Sequence, residues 1–538
     1  MLWMRLALLA VALGTLVGGL NHVGVIAGIL SPPPGYEPAY VIRNLDVPQY
    51  LTWAALAKDH WLLPNFHAPW KTEPTLFQPM LQLVGKSGLT PIASHYALQF
   101  LLYWVTAYAL LLAFQTFCKT RRQMLYAAIV MIGALPLKLI GWAVAKWVGA
   151  AAPVQLGLAY GLIEYTYETA DGFLRGGLSN SFTLTFGTAV TLFGFTALAL
   201  YARTGEKKYF QRLCLCAFFG ALLHPFEVFL VCFGAILPLL KMKRPFEIGW
   251  LGLAGGLGLT PYVVQSVRSA WVRDASDFAQ WHMTSPVWVL LVFGLPAILI
   301  CWLMAMKWGG EAPEDGVLQS WFLTTALLPM IPAIPVAIHL FDGFTYCLGF
   351  LLVRKAGQDK LFQKYGARLR PVAYGWAAVS LAVLGTVYFQ IYSDGKQADP
   401  LIGRPAVIAK DERAMIDWMK QNLPRERVVL APAEMAPWVA TIPMMAMGSH
   451  DVFSISFDAQ REAATKFYAG DQSVIDRYGV SYVVSEQRLA SGSLLHEEGK
   501  LRIYEMPGHL PLAYPGSTGE KRNGFRQWVF QLLGGISK

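Results

Sequence analysis

The sequence LCLCAFFGALLHPFEVFLVCFGAILPLL, residues 213–240, determines how this chain is organised. It is long enough to cross a bilayer, but basic clusters flank it on both sides, at 203–212 and 241–244. Because basic residues collect on the cytoplasmic side, a single crossing would leave one cluster on the wrong side. Pro225 in the middle can end a helix. We therefore predict two short helices that turn back at His224.

Further apolar runs on both sides of this stretch are each long enough to span a membrane as a helix. They lie at 4–30, 94–118, 124–149, 182–203, 247–265, 287–306, 317–338 and 372–392, and a shorter run at 343–353 completes a broken span. Together they predict a polytopic α-helical membrane domain, residues 1–392, with about 10–11 membrane helices, some short or broken.

The composition supports this class. Only 14% of the residues are charged, against roughly 25% in soluble proteins. The net charge of +10 comes from short basic clusters between apolar runs, a pattern typical of membrane anchors and not of nucleic-acid binding. The six cysteines lie in or beside apolar runs, so neither a disulfide framework nor a thiolate metal site is indicated.

With the N-terminus inside, the basic clusters all fall on the cytoplasmic side. The insert 31–93, the loops 150–181 and 266–286, and the tail 393–538 then fall outside. We therefore predict a multi-pass protein of the cell inner (cytoplasmic) membrane with an extracytoplasmic C-terminal domain.

The tail 393–538 has the pattern of a compact soluble α/β domain. A helix is predicted at 411–422, and strands at 427–430, 482–484 and 501–504. Alternating helices and strands favour a small layered domain packed on the outer face.

The insert carries two amphipathic stretches. Residues 47–63 place Tyr50 and Trp53 at helical spacing, which predicts a helix lying on the outer membrane surface. A second such stretch, 77–84, follows Pro74.

Asp46 precedes the first of these stretches, in the sequence NLDVPQY. A carboxylate at the membrane surface can act as general base on a hydroxyl. An aspartate before Val-Pro is equally suited to cap the helix that follows, and one residue can do both.

Asp59, His60, His67 and Glu73 follow in the same insert. Together they could contact a substrate or a divalent ion, although they lack a tight ligand spacing. For His60 and His67 we favour a solvated loop.

The loop after residue 160 contains Glu164, Glu168, Asp171 and Arg175, at spacings of four, three and four. A helix would place them on one face, where acids can hold sugar hydroxyls and an arginine can hold a phosphate. A self-neutralising surface ladder is the alternative.

Ionisable residues within the membrane are costly and usually face a cavity or a partner. His224 is the clearest case; it contacts substrate or makes a structural hydrogen bond at the helix break. Arg268, Arg273 and His339 lie near the outer ends of later spans, where they can bind a lipid phosphate or serve as interface anchors.

Several short motifs resemble the GT-C superfamily, multispanning glycosyltransferases that use lipid-phosphate-linked sugars. They are the first span, Asp46 with Tyr50 four residues later, the acidic second outer loop, LHP at 223–225, and in the tail AMIDW at 414–418, RVVLA at 427–431, MGSH at 447–450 and YGVSYVV at 478–484. The resemblance covers most of the chain.

This resemblance implies that Asp46 is the catalytic base and that the helices of the insert form the floor of the site. It implies inverting transfer of a sugar from a polyprenyl-phosphate donor to a lipid, glycan or protein acceptor on the outer face. Membrane lipids would be further partners, and nucleic acid would not. Mg²⁺ or Mn²⁺ remains a possible cofactor. The alternatives are a transporter or flippase of lipid-linked glycans, and a silent glycan- or lipid-binding scaffold.

Overall fold

The computed structural model describes residues 2–41, 46–133, 182–272, 274, 312–328, 344–358, 406–449, 454, 457–506 and 508–515, with single helical positions between 364 and 382. The predicted span at 287–306 and the loop 150–181 lie outside these residues.

The first described part forms a long hairpin of membrane helices with the insert at its tip. In chain order its elements are α1 (Leu2–Asn21), α2 (Val23–Leu30), β1 (Tyr36–Pro38), α3 (Asp46–Leu56), β2 (Trp70–Lys71), α4 (Pro79–Gly85), α5 (Pro91–Phe117) and α6 (Arg121–Gly133). The predicted first span, 4–30, is interrupted at His22, which separates α1 from α2.

Small residues let α1 and α5 approach closely. A Cβ added at Gly14 would lie 2.8 Å from Trp104 Cδ1, and one at Gly18 would lie 2.7 Å from Phe100 Cε1. Such close contact is how helices associate in lipid, where apolar burial gives little driving force.

The second described part completes the bundle. Its helices are α7 (Phe182–Thr204), α8 (Lys207–Leu223), α9 (Glu227–Lys241), α10 (Pro245–Arg268), α11 (Pro313–Leu327) and α12 (Phe344–Gln358). Within the described residues, three segments are long and apolar enough to cross a membrane: Met4–Asn21, Pro91–Phe117 and Thr185–Thr204. The chain is thus mostly helical, with apolar helices of membrane type.

The chain reverses at His224, as predicted. Tyr201 Oη, near the end of α7, donates to Glu247 Oε1 near the start of α10, at 2.6 Å, and its ring lies 5.6 Å from that of Phe210 near the start of α8. At the other end of α8, Tyr262 Oη of α10 donates to the Leu222 carbonyl at 3.0 Å. Both basic clusters that flank α8 and α9 therefore lie at one end of the bundle.

We call this end the basic end and the opposite one the outer end. The basic end is closed by a buried arginine, Arg354 of α12. Its Nε contacts Asp315 Oδ1, its Nη1 donates to the Phe117 carbonyl at 3.1 Å, and the same nitrogen lies 3.9 Å from Glu314 Oε1. These contacts join α5, α11 and α12.

The C-terminal part is the predicted α/β domain. Its elements are β3 (Val407–Ala409), α13 (Lys410–Asn422), β4 (Val428–Leu430), α14 (Ala436–Val439), β5 (Met445–Ala446), α15 (Phe457–Tyr468), α16 (Ser473–Tyr478), β6 (Tyr482–Ser485), β7 (Ser493–Glu498), β8 (Leu501–Glu505) and β9 (Leu512–Ala513). Five strands form one sheet in the order β5-β4-β6-β8-β7, with β4 parallel to both neighbours and β8 antiparallel to β6 and β7.

The domain is joined to the insert by backbone pairing. β1 pairs with β3 antiparallel, with Tyr36 opposite Ala409. β2 pairs with β9 in parallel, with Trp70 opposite Leu512. The insert therefore lies between the outer end of the bundle and the C-terminal domain.

Candidate functional site

We predicted that α3 lies on the outer membrane surface. Instead, the helix is enclosed on both sides. Tyr50 and Trp53 pack in one cluster with Leu98 of α5, while Val47 and Leu51 pack in another with residues of the C-terminal domain. These four side chains are at most 8% exposed. The amphipathic pattern predicted only one buried face, because it could not indicate that a distant domain covers the other. The helix also ends at Leu56, short of the predicted residue 63.

Asp46 is the first residue of α3. The segment that leads to it is restrained from two sides. Tyr40 adopts a left-handed backbone with φ of 62°, which is unfavourable for a residue with a side chain. Tyr96 Oη on α5 donates to the Tyr40 carbonyl at 2.5 Å, and Arg413 Nε of the C-terminal domain binds Glu37 Oε1 at 3.2 Å. Backbone strain of this kind persists only where the surroundings enforce it.

A buried polar layer lies beside α3 at the outer end. His22 Nε2 is 3.0 Å from Gln99 Oε1, and His22 Nδ1 is 2.6 Å from the Gly18 carbonyl. Asn21 Nδ2 donates to Tyr103 Oη at 3.0 Å. All four side chains are buried. Which ring nitrogen of His22 donates depends on its tautomer.

His95 extends this layer to α3. Its ring stacks on that of Tyr50 with centroids 6.4 Å apart, and it meets the Tyr96 ring edge-on at 5.6 Å. The Tyr96 ring in turn lies 5.1 Å from His22. The polar layer and the segment before Asp46 therefore share one aromatic contact, Tyr96.

We did not predict this layer from the sequence. A signal was present, since Asn21 and His22 interrupt an apolar run, and His95, Gln99 and Tyr103 recur every four residues on α5. Polar groups within a span are costly unless they have partners. Asn21, His22, His95 and Gln99 therefore carry the same cost that made His224 a candidate.

His224 lies at the turn between α8 and α9 and is paired with an acid. Its Nδ1 donates to the Glu227 carboxylate, at 2.7 Å to Oε2 and 2.9 Å to Oε1. Both residues are buried, Glu227 completely. The structure thus has the hydrogen bond at the helix break that we weighed against substrate contact, and it adds Glu227, which we had not assigned a role.

The other predicted residues of the insert lie apart. Asp59 is exposed, and its Oδ2 is 3.3 Å from Nη1 of Arg425 in the C-terminal domain. His60 is half-buried, and Glu73 is exposed. The Glu73 carbonyl accepts a hydrogen bond from Trp271 Nε1 at 3.3 Å. In the part of the chain that the structure describes, no three His, Cys, Asp or Glu side chains gather as a metal would require.

His67 does not lie in a solvated loop, so that prediction was wrong. It is fully buried, and its Nδ1 lies 2.9 Å from Ser449 Oγ. Ser454 Oγ donates to the His67 carbonyl, and Ala446 N donates to the Phe66 carbonyl at 2.9 Å. These contacts fasten the insert to the C-terminal domain, which sequence spacing could not indicate.

The outer end of α10 faces the same region. Arg268 is exposed there, and Gln265 Oε1 accepts from the Phe77 backbone N–H at 2.8 Å. Farther along, Tyr514 Oη donates to Asp274. Burial, together with this hydrogen bond to an acid, raises the pKa of Tyr514, so the phenol stays protonated at neutral pH.

The remaining predicted site residues lie outside the described part of the chain. They are Glu164, Glu168, Asp171, Arg175, Arg273 and His339.

Comparisons with known proteins give a likeness in structure only. No protein-family model matches the sequence, and no curated protein is significantly similar to it. The fold is similar to that of the oligosaccharyltransferase of Archaeoglobus fulgidus tethered to an acceptor peptide with the NVT sequon, with a TM-score of 0.39 and 13% identity over 89% of this chain and 69% of that one. For the apo form of that enzyme the TM-score is 0.40, with 12% identity over 88% and 69%.

Proposed function

We propose that this protein is an integral membrane glycosyltransferase. It would transfer a sugar from a polyprenyl-phosphate donor to a lipid, glycan or protein acceptor on the outer face, with inversion, and Asp46 would be the base. The observation that carries the proposal is the position of Asp46, at the start of a helix enclosed between the membrane bundle and the C-terminal domain.

The position suits a reaction between a lipid and an outer acceptor. A donor held by its lipid reaches the outer end of the bundle from within the membrane, and an acceptor arrives beside the C-terminal domain. The Tyr96 hydroxyl and the β1–β3 pairing hold the segment before Asp46. A fixed approach of this kind lowers the entropic part of the barrier to transfer.

The proposed step is a single displacement. The Asp46 carboxylate takes the proton of the acceptor hydroxyl, and the oxygen forms a bond to the anomeric carbon of the sugar. The bond from that carbon to the phosphate oxygen breaks, and the lipid phosphate leaves with the bonding electrons. Attack from the face opposite the phosphate inverts the configuration.

Cations would stabilise the leaving phosphate. Arg268 lies exposed at the outer end of α10, and we assign it this role together with Arg273 and His339. If Mg²⁺ or Mn²⁺ takes part, it would neutralise the same charge.

We further propose that the residues predicted to bind substrate contact the sugar or the acceptor. The list is Tyr50, Asp59, His60, Glu73, Glu164, Glu168, Asp171, Arg175 and His224. Tyr50 and His224 are buried, so we expect them to shape the site and not to meet solvent.

The test is transfer by purified protein in nanodiscs, with a panel of radiolabelled polyprenyl-phosphate sugars, a membrane-lipid acceptor extract, and parallel reactions with chelator. Asp46→Asn should abolish transfer by the folded protein. Asp417→Asn, on the exposed face of α13, is the matched control and should transfer normally. Loss of label transfer in chelator would establish the divalent ion.

Retained transfer in Asp46→Asn would remove Asp46 from the role of base. No transfer from any donor by folded wild-type protein would contradict the enzyme proposal. Binding of labelled donor without transfer would then favour the scaffold, and donor movement across proteoliposomes would favour the flippase.

A further inference from the structure

A groove opens on the bundle near its basic end, away from the insert at the outer end. It lies between α5, α7 and α8 and has a volume of about 230 Å³. Its lining is almost wholly apolar and consists of Leu112, Phe193, Thr196, Ala197, Leu200, Tyr209, Arg212, Leu215 and Cys216. Because α5 and α7 both have the length and composition of membrane spans, we expect the groove to face the hydrocarbon region of a bilayer.

One polar group is buried in this groove. Thr196 is 4% exposed, and its Oγ1 has no hydrogen-bond partner among the described residues. A buried hydroxyl without a partner is unfavourable by about 1–3 kcal/mol. A ligand that carries an acceptor, such as an ester carbonyl, would remove that penalty.

One cation at the groove is available to a ligand. Near the same end, Lys208 lies 2.5 Å from Glu206, and Arg244 and Arg203 each lie 3.9 Å from a glutamate. Arg212 lines the groove, is exposed and has no acidic partner in the described part of the chain. Its guanidinium lies 5.4 Å from the Tyr209 ring centroid, a contact that restrains its position.

We propose that the groove binds a membrane phospholipid with an anionic headgroup. One acyl chain would lie along Phe193, Ala197 and Leu215, the Thr196 hydroxyl would donate to an ester carbonyl, and Arg212 would bind the phosphate. An apolar cleft with a cation at its mouth fits an amphiphile with one charged end, whereas a soluble anion would leave the apolar walls empty. This site is independent of the sugar-transfer proposal.

The test uses delipidated full-length protein and native mass spectrometry, with phosphatidylglycerol and phosphatidylcholine titrated separately. Because one basic residue near a membrane contributes about 1 kcal/mol towards anionic lipid, wild-type protein should bind phosphatidylglycerol about five-fold more tightly. Arg212→Gln should remove this preference. Lys207→Gln, an exposed neighbour outside the groove lining, is the control and should keep it.

Thr196→Val separates the two contacts. It preserves side-chain shape but removes the hydroxyl, so binding of both lipids should weaken several-fold while the preference stays. Excess inorganic phosphate should not displace bound lipid. Equal binding of the two lipids by wild type, equal loss in Lys207→Gln and Arg212→Gln, or displacement by phosphate would each overturn the proposal.

Discussion

Two histidines interrupt membrane helices at the outer end of the bundle, and different partners hold them. His22, between α1 and α2, contacts the Gln99 amide and the Gly18 carbonyl, which are both neutral. His224, between α8 and α9, contacts the buried carboxylate of Glu227. Removal of His22 takes hydrogen bonds from neutral groups, whereas removal of His224 takes a hydrogen bond from a buried carboxylate. The two breaks should therefore differ in what they contribute to stability and to function.

The largest effect should come from His224→Ala. It would remove the hydrogen bond from His224 to the buried Glu227 carboxylate and lower the free energy of unfolding by about 3–5 kcal/mol. Unfolding of purified protein in detergent, followed by circular dichroism, measures this. The double variant His224→Leu with Glu227→Leu should recover most of the loss. If the double variant is as unstable as the single one, the pair is not the source of the effect.

His22→Ala should be milder. It would leave one amide and one carbonyl without their hydrogen bonds, which lowers the free energy of unfolding by about 1–3 kcal/mol. The same detergent titration applies. Pairing it with Gln99→Leu should give a smaller recovery than at the His224 pair, because no charge is being neutralised. An equal recovery would mean that His22 carries a charge.

Tyr96→Phe tests whether the polar layer around His22 contributes to the proposed reaction. Loss of the hydroxyl frees the Tyr40 carbonyl, which lowers stability by about 1 kcal/mol. We also expect kcat to fall about ten-fold with KM unchanged, since the segment before Asp46 would be less well held. Tyr126→Phe on α6 is the control. A purely structural role for Tyr96 would leave kcat unchanged once the protein is folded.

The smallest effect is expected at an exposed ion pair, which joins the insert to the C-terminal domain. Asp59 and Arg425 lie 3.3 Å apart with side chains 64% and 72% exposed. Replacing Arg425 with Gln should change the free energy of unfolding by less than about 1 kcal/mol, and salt should have little further effect. A small effect here beside a large one at His224 would show that burial, and not the distance between the paired groups, sets the magnitude. A change of several kcal/mol would contradict this ranking.

Local sequence patterns predicted several helices and strands correctly. The helix predicted at 411–422 is Lys410–Asn422, and the strand at 482–484 is Tyr482–Ser485, because short segments with strong patterning define their own ends. The reversal at His224 was also predictable, since proline and flanking basic clusters both indicated it. The break at His22 has neither signal.

Contacts between segments far apart in the chain could not be predicted from the sequence. The enclosure of α3, the burial of His67 and the pairing of β1 with β3 all join the insert to residues more than three hundred positions away. Hydrophobic periodicity shows that a face is buried and not which partner buries it. For this reason Asp46 was identified as a candidate, but the layer of His22, Gln99 and His95 beside it was not.

The pairing of β1 with β3 also has a consequence in time. Tyr36 cannot pair with Ala409 until the ribosome has synthesised the 373 positions that separate them. At roughly 5–20 residues per second, this takes about 20–75 s. Throughout that interval β1 lacks the strand that pairs with its edge. The segment before Asp46 is therefore completed late, and until the C-terminal domain docks, a nascent chain would present an open strand edge that a chaperone could hold.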